Sequence, residues 1–344
     1  MHPDLAILSD FPLQDCNTFG IAARARFYVR VTSVEVLRAA LADPRLAGLP
    51  RLVLGGGSNI VLRGDVDGVV LHMAIGGQQV LEDSSVPERV LLRAGAGQSW
   101  HGLVEYSLAQ GLGGLENLAL IPGTVGASPI QNIGAYGVEL KDVFHAATVF
   151  DMVSGEVRTM DAAACRFAYR DSIFKQAAGA KLVVLDVSFA LPRAWQARLG
   201  YAELANAVRD AGLVAPTPRQ VADLVIAIRR RKLPDPAVIG NAGSFFKNPV
   251  VSKSACEALL AQLPALVHHA QPDGSEKLAA GWLIDQCGWK GRSLGRAGVY
   301  PKQALVLVNQ GGATGAEVVA LAQAIAADVQ AKYGVVLETE PVFV

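Results

Sequence analysis

Neither excess charge nor a long apolar run is present in this chain of 344 residues. Its 31 basic and 31 acidic residues cancel, so no overall field favours a nucleic acid or an anionic membrane as a partner. No apolar run approaches the roughly 18 residues needed to span a bilayer. Met1-His-Pro-Asp lacks the basic and apolar regions of a secretory leader. We therefore expect a cytoplasmic protein, and a monomer, that acts on small molecules.

Cysteine and histidine are also scarce. Cys16, Cys165, Cys256 and Cys287 form no CxxC pair, and no cysteine–histidine spacing is typical of zinc. The adjacent His268 and His269 have no second ligand pair at metal-binding spacing, so they are interpreted as a surface pair. We expect reduced thiols and no metal.

Glycine and hydrophobic residues are abundant instead. The chain has 35 glycines and 51% hydrophobic residues, a composition typical of a globular, loop-rich enzyme. Its length is too great for one ordinary core, which predicts two or three domains. Short strands dominate the first half, and helical periodicity dominates after a change near residues 195–217. The pattern predicts an α+β protein.

Local patterns predict individual strands and helices. Strands are predicted at 25–30, 51–54, 60–62, 69–72, 90–93, 148–150, 182–187 and 335–337. Helices are predicted to begin near residues 34, 99, 217, 254 or 255, and 314, with capping boxes at Thr32-x-x-Glu35, Thr217-x-x-Gln220 and Thr314-x-x-Glu317. The cations Arg229 to Lys232 end the helix from 217, where the helix dipole favours positive charge.

Two glycine-rich loops are candidate anion sites. Gly55-Gly-Gly-Ser-Asn59 joins two predicted strands, so its glycines serve either a hairpin or a nest of amides around an anion. The loop Leu120–Gly137 has four glycines and few charges. Such a loop suits a pyrophosphate held by backbone amides or a flat heteroaromatic ring. Together the loops indicate a dinucleotide bound outside a Rossmann fold.

A third stretch, Gly240–Pro249, places one hydroxyl, Ser244, between two glycines and two phenylalanines. If the phenylalanines exclude water, this hydroxyl can donate a proton to a forming carbanion. The alternative is a turn that leads into the edge of a strand.

These stretches occur in order with Tyr169-Arg-Asp-Ser-Ile-Phe-Lys175 and Leu337-Glu-Thr-Glu340. From Asn17-Thr-Phe-Gly20 almost to Val344, the chain resembles the UDP-N-acetylenolpyruvoylglucosamine reductases of bacterial peptidoglycan synthesis. The resemblance implies an FAD-binding α+β fold of the vanillyl-alcohol oxidase/PCMH type, followed by a smaller α+β substrate-binding domain. Gly200-Tyr-Ala-Glu-Leu204 looks like the substrate-covering loop of the family's long form.

The implied domain ranges follow the family. They are residues 1–195 for FAD binding, with a first subdomain of about 1–75, then 196–216 for the substrate-loop linker, 217–334 for substrate binding and 335–344 for a terminal strand with a catalytic glutamate. Two other functions stay open at this point. One is another FAD oxidoreductase of the same fold class, and the other is a non-catalytic nucleotide-sugar binding protein.

The implied reaction is the NADPH-dependent reduction of the enolpyruvyl ether of UDP-N-acetylglucosamine enolpyruvate to UDP-N-acetylmuramate, with FAD as cofactor. Arg170 would hold the substrate carboxylate, oriented by Asp171, although a surface Arg–Asp pair is the alternative. Ser244 would donate the proton. Strand alternation puts Glu338 and Glu340 on one face, so only the resemblance selects Glu340 as the acid that stabilises the enediolate.

The resemblance also implies the binding residues. The implied FAD contacts are Gly55, Gly56, Gly57, Ser58, Asn59, Pro122, Gly123, Thr124, Gly126, Ala127, Ser128, Asn132, Gly134, Ala135 and Tyr136. The implied substrate contacts are Tyr201, Lys232, Asn248, Lys290 and Gln303. The chain departs from the family at Pro341, where an aliphatic residue is usual, so the last strand is expected at a sheet edge.

Overall fold

The computed structural model describes residues 5–82 and 87–344. Met1-His-Pro-Asp, which the leader prediction concerns, lies outside the described residues. Within the described ranges no helix combines the length and the hydropathy needed to cross a bilayer.

The described residues form both strands and helices. The strands are β1 Ile7–Pro12, β2 Arg24–Val31, β3 Arg51–Leu54, β4 Ile60–Val61, β5 Val66–Met73, β6 Gln78–Leu81, β7 Arg89–Gly95, β8 Gly134–Ala135, β9 Val138–Glu139, β10 Phe144–Asp151, β11 Val157–Asp161, β12 Leu182–Pro192, β13 Asn241–Ser244, β14 Val250–Val251, β15 His268–Ala270, β16 Glu276–Leu278, β17 Ser293–Leu294, β18 Ala297–Val299, β19 Val306–Asn309 and β20 Val342–Phe343. The α-helices are α1 Val34–Ala42, α2 Trp100–Ala109, α3 Ala162–Cys165, α4 Ala202–Asp210, α5 Pro218–Lys232, α6 Lys253–Gln262, α7 Ala280–Gln286 and α8 Gly315–Tyr333. Short 3₁₀ turns occur at Gln14–Cys16, Pro44–Leu46, Glu116–Leu118, Val125–Ala127, Leu140–Asp142 and Ile173–Lys175.

The chain divides into two compact units. The first contains the residues up to Phe11, Ala25–Gly56 and Asp67–Arg231, and the second contains Pro12–Arg24, Gly57–Val66 and Lys232–Val344. Two segments of the amino-terminal half therefore belong to the second unit. The last boundary between the units follows Arg231. The functional ranges that the resemblance implies stay a prediction.

The first unit is built on two larger sheets. One has the strand order β1-β2-β5-β3, and the other, in the order β11-β10-β12-β7-β6, is antiparallel throughout. Helix α2 begins at Ser99, whose hydroxyl accepts from Gly102 N, and it buries Trp100, Leu103 and Val104. The Trp100 indole contacts Phe189 of β12 edge to face, with ring centroids 5.7 Å apart. Helix and sheet therefore share one apolar core.

The second unit has a sheet in the order β13-β19-β18-β17, a small sheet β14-β16-β15 and the parallel pair β20-β4. Helix α8 packs its buried stripe, including Val318, Leu321 and Ile325, into this unit's core. A capping box of Thr314 and Glu317 begins the helix, and Gly334 ends it in the left-handed conformation. The start of the helix agrees with the prediction.

Most predicted elements are present, and the α+β class is confirmed. Three local predictions are wrong. Helix α1 is capped by Ser33 rather than Thr32, and α6 begins at Lys253 after the cap Ser252. Val335 and Leu337 are buried and Val336 is exposed, but residues 335–337 form no strand. The alternation of apolar residues reflects alternating burial without the hydrogen bonds of a sheet. The last strand is β20, which begins directly after Pro341.

Helix α4 was not predicted. Its buried residues, Leu204 and Val208, lie four positions apart, which is the spacing of one helix face. The residue before it, Tyr201, takes the N-cap position. The stretch interpreted as a substrate-covering loop therefore continues into a helix.

Candidate active site

The glycines at 55–57 lie in close contact with other segments of the chain. Strand β3 pairs in parallel with β5, and β4 pairs in parallel with β20, so the hairpin interpretation is wrong. In the first unit, a Cβ on Gly55 would lie 2.6 Å from Thr124 Oγ1, and one on Gly56 would lie 2.9 Å from Gly123 Cα. The two glycine-rich loops therefore touch at positions that only glycine allows.

Gly57 has a different constraint, within the second unit. Its φ is +60°, and a Cβ there would lie 2.0 Å from the carbonyl oxygen of Cys16. Its own carbonyl accepts from Thr18 N at 3.1 Å. Ser58 and Asn59 follow in a turn, and Asn59 Nδ2 donates to Glu340 O at 3.2 Å.

Much of the second loop is bound to the protein itself. The amides of Val125, Gly126, Ala127 and Ser128 donate to Gln98 O, Ala96 O, Thr124 O and Val125 O. A Cβ on Gly126 would lie 2.5 Å from Ala96 Cβ. These four amides are therefore engaged within the protein, and the Ser128 hydroxyl also donates internally, to Val125 O at 2.6 Å.

Thr124 is the exception in this loop. Its Oγ1 is buried and has no hydrogen-bond partner among the described residues. Buried polar atoms are nearly always paired, so an orphaned hydroxyl beside Gly55 indicates a missing partner. Phosphate oxygens accept from such a hydroxyl, and flanking glycines allow their close approach. Gly55, Gly56, Gly123 and Thr124 thus fit a phosphate group of a dinucleotide such as FAD.

The end of the loop is a hairpin that anchors Arg170. Strands β8 and β9 are joined by Tyr136 and Gly137, whose φ angles of +49° and +80° are those of a type I′ turn. Arg170 Nη2 donates to Gly134 O at 2.8 Å. Asn132 is fully buried and bonds to Lys141 N, Glu139 Oε2 and Ala168 O. The Asn132 side chain therefore supports the loop.

Arg170 itself lies in a tight turn. Its φ is +53°, unusual for a residue with a side chain. Ala168 and Asp171 form a bridge across the turn, and Asp171 Oδ1 accepts from Ser172 N at 2.8 Å. The guanidinium also lies over the Tyr169 ring, 5.4 Å from its centroid. The turn and the bond to Gly134 hold this cation in one position.

A second arginine, which the sequence reasoning interpreted only as a helix end, reaches the same hairpin. Arg229 is partly exposed as a residue, yet its Nε is buried without a hydrogen-bond partner among the described residues. Burial lowers the pKa of Arg229, partly offset by Tyr136. Burial also raises the pKa of Tyr136 to about 12, so its hydroxyl stays protonated. The spacing Val221, Val225, Arg229 was the available sign that this arginine faces inward.

Tyr201 lies against the same turn. Its ring meets that of Tyr136 edge to face, with centroids 5.3 Å apart, and 45% of the residue is exposed. An exposed aromatic held by one partner ring can move without disturbing a core. Tyr136, Tyr201 and Arg229 form one cluster, which we call the tyrosine–arginine cluster.

Ser244 and Glu340 lie on neighbouring segments of the second unit. Glu340 N donates to Phe245 O at 2.9 Å, and Lys247 N donates to Glu338 O at 2.9 Å. The residue after Ser244 is therefore bonded directly to Glu340. Ser244 is exposed, whereas Phe245 and Phe246 are buried. The expected dry environment is wrong for this structure, because the phenylalanines pack into the core.

The two glutamates have opposite environments. Glu340 is buried, with 8% exposed. Glu338 has 69% of its side chain exposed, and it pairs with Lys247 Nζ at 2.9 Å. The prediction that both share one face is wrong, because these residues form an isolated bridge at Thr339 rather than a strand. Of the two glutamates, only Glu340 is shielded from water.

Two predicted substrate residues meet at the start of α7. Asn248 Oδ1 accepts from Ala280 N at 3.0 Å, and a Cβ on Gly281 would lie 3.2 Å from Gln303 Oε1. Lys290 follows the same helix and pairs with Asp285 at 3.3 Å. Lys232 ends α5 and is half-buried.

Of the remaining predicted FAD residues, Pro122 is exposed, and Ala127 and Ala135 are half-buried.

Two family models match separate parts of the chain. A family model described as FAD binding domain matches residues 25–161, and one described as UDP-N-acetylenolpyruvoylglucosamine reductase, C-terminal domain, matches residues 235–344. The solved structure of UDP-N-acetylenolpyruvylglucosamine reductase from Thermus caldophilus has a TM-score of 0.65 at 23% identity, over 98% of both chains. It shows a shared fold.

Curated relatives match over nearly the full length. The chain is 55% identical over 347 residues to the UDP-N-acetylenolpyruvoylglucosamine reductase of Burkholderia orbicola (strain MC0-3), with 99% of each chain covered. It is 56% identical over 344 residues to that of Azoarcus sp. (strain BH72), again with 99% of each covered. The chain therefore belongs to the UDP-N-acetylenolpyruvoylglucosamine reductase family, and it is an FAD-dependent oxidoreductase.

Proposed function

We propose that this protein reduces the enolpyruvyl ether of UDP-N-acetylglucosamine enolpyruvate to UDP-N-acetylmuramate, with NADPH as the reductant, for peptidoglycan synthesis. Family membership supports the substrate and the cofactor. The observation that carries the chemistry is the backbone bond between Glu340 and the residue after Ser244. It places a buried carboxyl group and an exposed hydroxyl on paired segments.

FAD is proposed to bind through the two glycine-rich loops. Gly55, Gly56, Gly123 and Thr124 would face a phosphate, because the orphaned Thr124 hydroxyl needs a partner. The other proposed contacts are Gly57, Ser58, Asn59, Pro122, Gly126, Ala127, Ser128, Asn132, Gly134, Ala135 and Tyr136. When bound, the flavin supplies a hydride, taken from NADPH, to the terminal carbon of the enolpyruvyl double bond.

Charge stabilisation is the first task of the side chains. Adding a hydride to a double bond conjugated with a carboxylate pushes negative charge onto that carboxylate. Arg170 is proposed to bind it, since a guanidinium is always charged and can donate two parallel hydrogen bonds. Glu340, in its acid form, would donate a further hydrogen bond to the same oxygens. Glu340 is buried, with 8% exposed.

Protonation is the second task. One hydride and one proton add across the double bond, and Ser244 is proposed to give the proton to the carbon that bears the carboxylate. An aliphatic hydroxyl is a weak acid, so it transfers its proton only to a strongly basic enediolate held against it. Because Ser244 is exposed, the bound substrate itself must exclude water from this hydroxyl.

Substrate anchoring is proposed for Tyr201, Lys232, Asn248, Lys290 and Gln303. Cations and amide groups suit a diphosphate and the ribose and sugar hydroxyls that flank it. The exposed ring of Tyr201 is proposed to move onto the diphosphate as a lid, as in the family's long form. We further propose that the enzyme is a monomer and works in the cytoplasm.

The two half-reactions test this function separately. In Ser244→Ala, NADPH should still bleach the flavin absorbance under anaerobic conditions, whereas reoxidation by UDP-N-acetylglucosamine enolpyruvate should stop. Ser244→Cys should keep partial activity, because a thiol still carries a proton. Reoxidation of Ser244→Ala at the wild-type rate would remove the proposed role. A wild-type enzyme that NADPH reduces but this substrate does not reoxidise would refute the proposed substrate.

A further inference from the structure

Three side chains of metal-ligand type that the proposed function does not use converge in the second unit. The thiol of Cys256, the imidazole of His268 and the carboxylate of Glu276 each offer one ligand atom, and these atoms lie within 4.8 Å of one another. We call them the Cys–His–Glu cluster. They are too widely spaced along the chain to form a recognised metal-binding motif, so the spacing did not predict a metal site.

The fold explains how they meet. In the antiparallel pair β15–β16, Ala270 lies opposite Glu276 and His268 lies opposite Leu278. His268 and Glu276 are therefore diagonal neighbours on one face of the hairpin. The third ligand comes from α6, which begins after the cap Ser252 and buries Cys256.

The contact between His268 and Glu276 does not explain why Cys256 lies beside them. His268 Nδ1 and Glu276 Oε2 are 2.9 Å apart, with 34% and 13% of the side chains exposed. A histidine–glutamate bond of this kind needs no thiol. Cys256 is 1% exposed, yet its sulfur lies beside both polar groups rather than in a purely apolar environment. A buried thiol, an imidazole and a carboxylate together are a typical donor set for Zn²⁺.

The distances suit a small tetrahedral ion. Zn²⁺ binds sulfur, nitrogen and oxygen at about 2.0–2.3 Å, which places ligand atoms roughly 3.5 Å apart. The observed separations span this value, from 2.9 Å for the His268–Glu276 contact to at most 4.8 Å. Small side-chain rotations are therefore enough. The partial exposure of His268 leaves room for water as the fourth ligand.

We propose that Cys256, His268 and Glu276 bind Zn²⁺, with water as the fourth ligand, and that the ion fastens α6 to the β15–β16 hairpin. Binding releases the thiol proton and replaces the hydrogen bond between His268 and Glu276. The hairpin is hydrogen-bonded to the segment that carries a proposed substrate residue. Leu278 N donates to Pro249 O at 2.8 Å, and Pro249 directly follows Asn248. The site is thus structural and supports the substrate-binding part of this unit.

Metal content of the whole flavoprotein tests the proposal. After chelation, saturation with Zn²⁺ and dialysis, the wild type should keep about one ion per chain. Cys256→Ser and His268→Ala should bind Zn²⁺ at least about tenfold more weakly, because even outer partners of a metal site contribute that much. Matched controls are Cys287→Ser and His269→Ala, of which His269 points to the opposite face of the hairpin. Both should keep the metal.

Two further measurements remove ambiguity. Glu276→Gln preserves shape and should also lose the metal, and each variant's far-UV spectrum and FAD content report whether it is folded. Co²⁺ should give tetrahedral absorption bands in the red, beyond the oxidised flavin spectrum, in the wild type but not in Cys256→Ser. Equal Zn²⁺ retention by the wild type and a folded Cys256→Ser would overturn the proposal, as would equal loss in His268→Ala and His269→Ala.

Discussion

Gly56→Ala tests whether contact between the two glycine-rich loops sets the affinity for FAD. The new Cβ would lie 2.9 Å from Gly123 Cα and 3.3 Å from Gly123 C, both backbone atoms. Ordinary contacts of this kind begin at 3.4 Å. The loops must therefore separate by roughly 0.5–1 Å, since no side chain can rotate away.

The magnitude follows from this clash. Overpacking by one methyl group costs about 1–3 kcal/mol. The apoprotein can relax by moving the loops apart, whereas cofactor binding requires both loops at their original separation. The cost therefore falls mainly on binding, and at 1.4 kcal/mol per tenfold change the dissociation constant for FAD should rise about 5- to 150-fold.

Titration of the apoprotein with FAD, followed by quenching of flavin fluorescence, measures this constant. Gly64→Ala is the matched control, because Gly64 has an ordinary φ and nothing within 4 Å of its added Cβ. Gly64→Ala should bind FAD as the wild type does. A dissociation constant for Gly56→Ala within twofold of the control would refute the reasoning that the two loops hold the cofactor together.

Three further changes test the proposed catalytic glutamate, the tyrosine–arginine cluster and the titration of His72, a residue of β5. Glu340→Gln should slow substrate-driven flavin reoxidation, measured by stopped-flow, by about 100-fold or more. Glu338→Gln loses only an exposed ion pair, so its reoxidation rate should stay within about twofold of the wild type, and equal rates for the two variants would contradict the assignment. Arg229→Met should raise the Tm in thermal unfolding, because it removes a desolvated charge whose Nε has no described partner. A fall in Tm would show that the charge is compensated. Burial lowers the pKa of His72, so the folded state favours its neutral form and stability should fall as the pH drops below about 6.5. His72→Asn should weaken this pH dependence of the unfolding free energy in urea titrations, and an unchanged pH dependence would contradict the prediction.

Local signals made most elements predictable. The Thr217 and Thr314 caps, the Ser99 helix start and the apolar strands depend on neighbouring residues, which a sequence displays directly. The Val335–Leu337 prediction failed because alternating burial also occurs in an extended segment without a ladder. Alternation reports which side faces the core, and it does not report whether hydrogen bonds form. For the same reason it could not separate Glu338 from Glu340.

Arg229 shows a different limit. It begins a run of four cations, which is typical of a solvated helix end. It also continues the inward positions Val221 and Val225 by one more step of four. Composition therefore indicated an exposed side chain, and periodicity indicated a buried one. The structure shows burial, because Tyr136 and its hairpin lie next to Arg229. A neighbour more than 90 positions earlier in the chain is set by topology rather than by local pattern. A charged residue on an inward helical position is therefore better interpreted as a candidate ligand than as a cap, since burial without a partner costs free energy that only a bound anion would return.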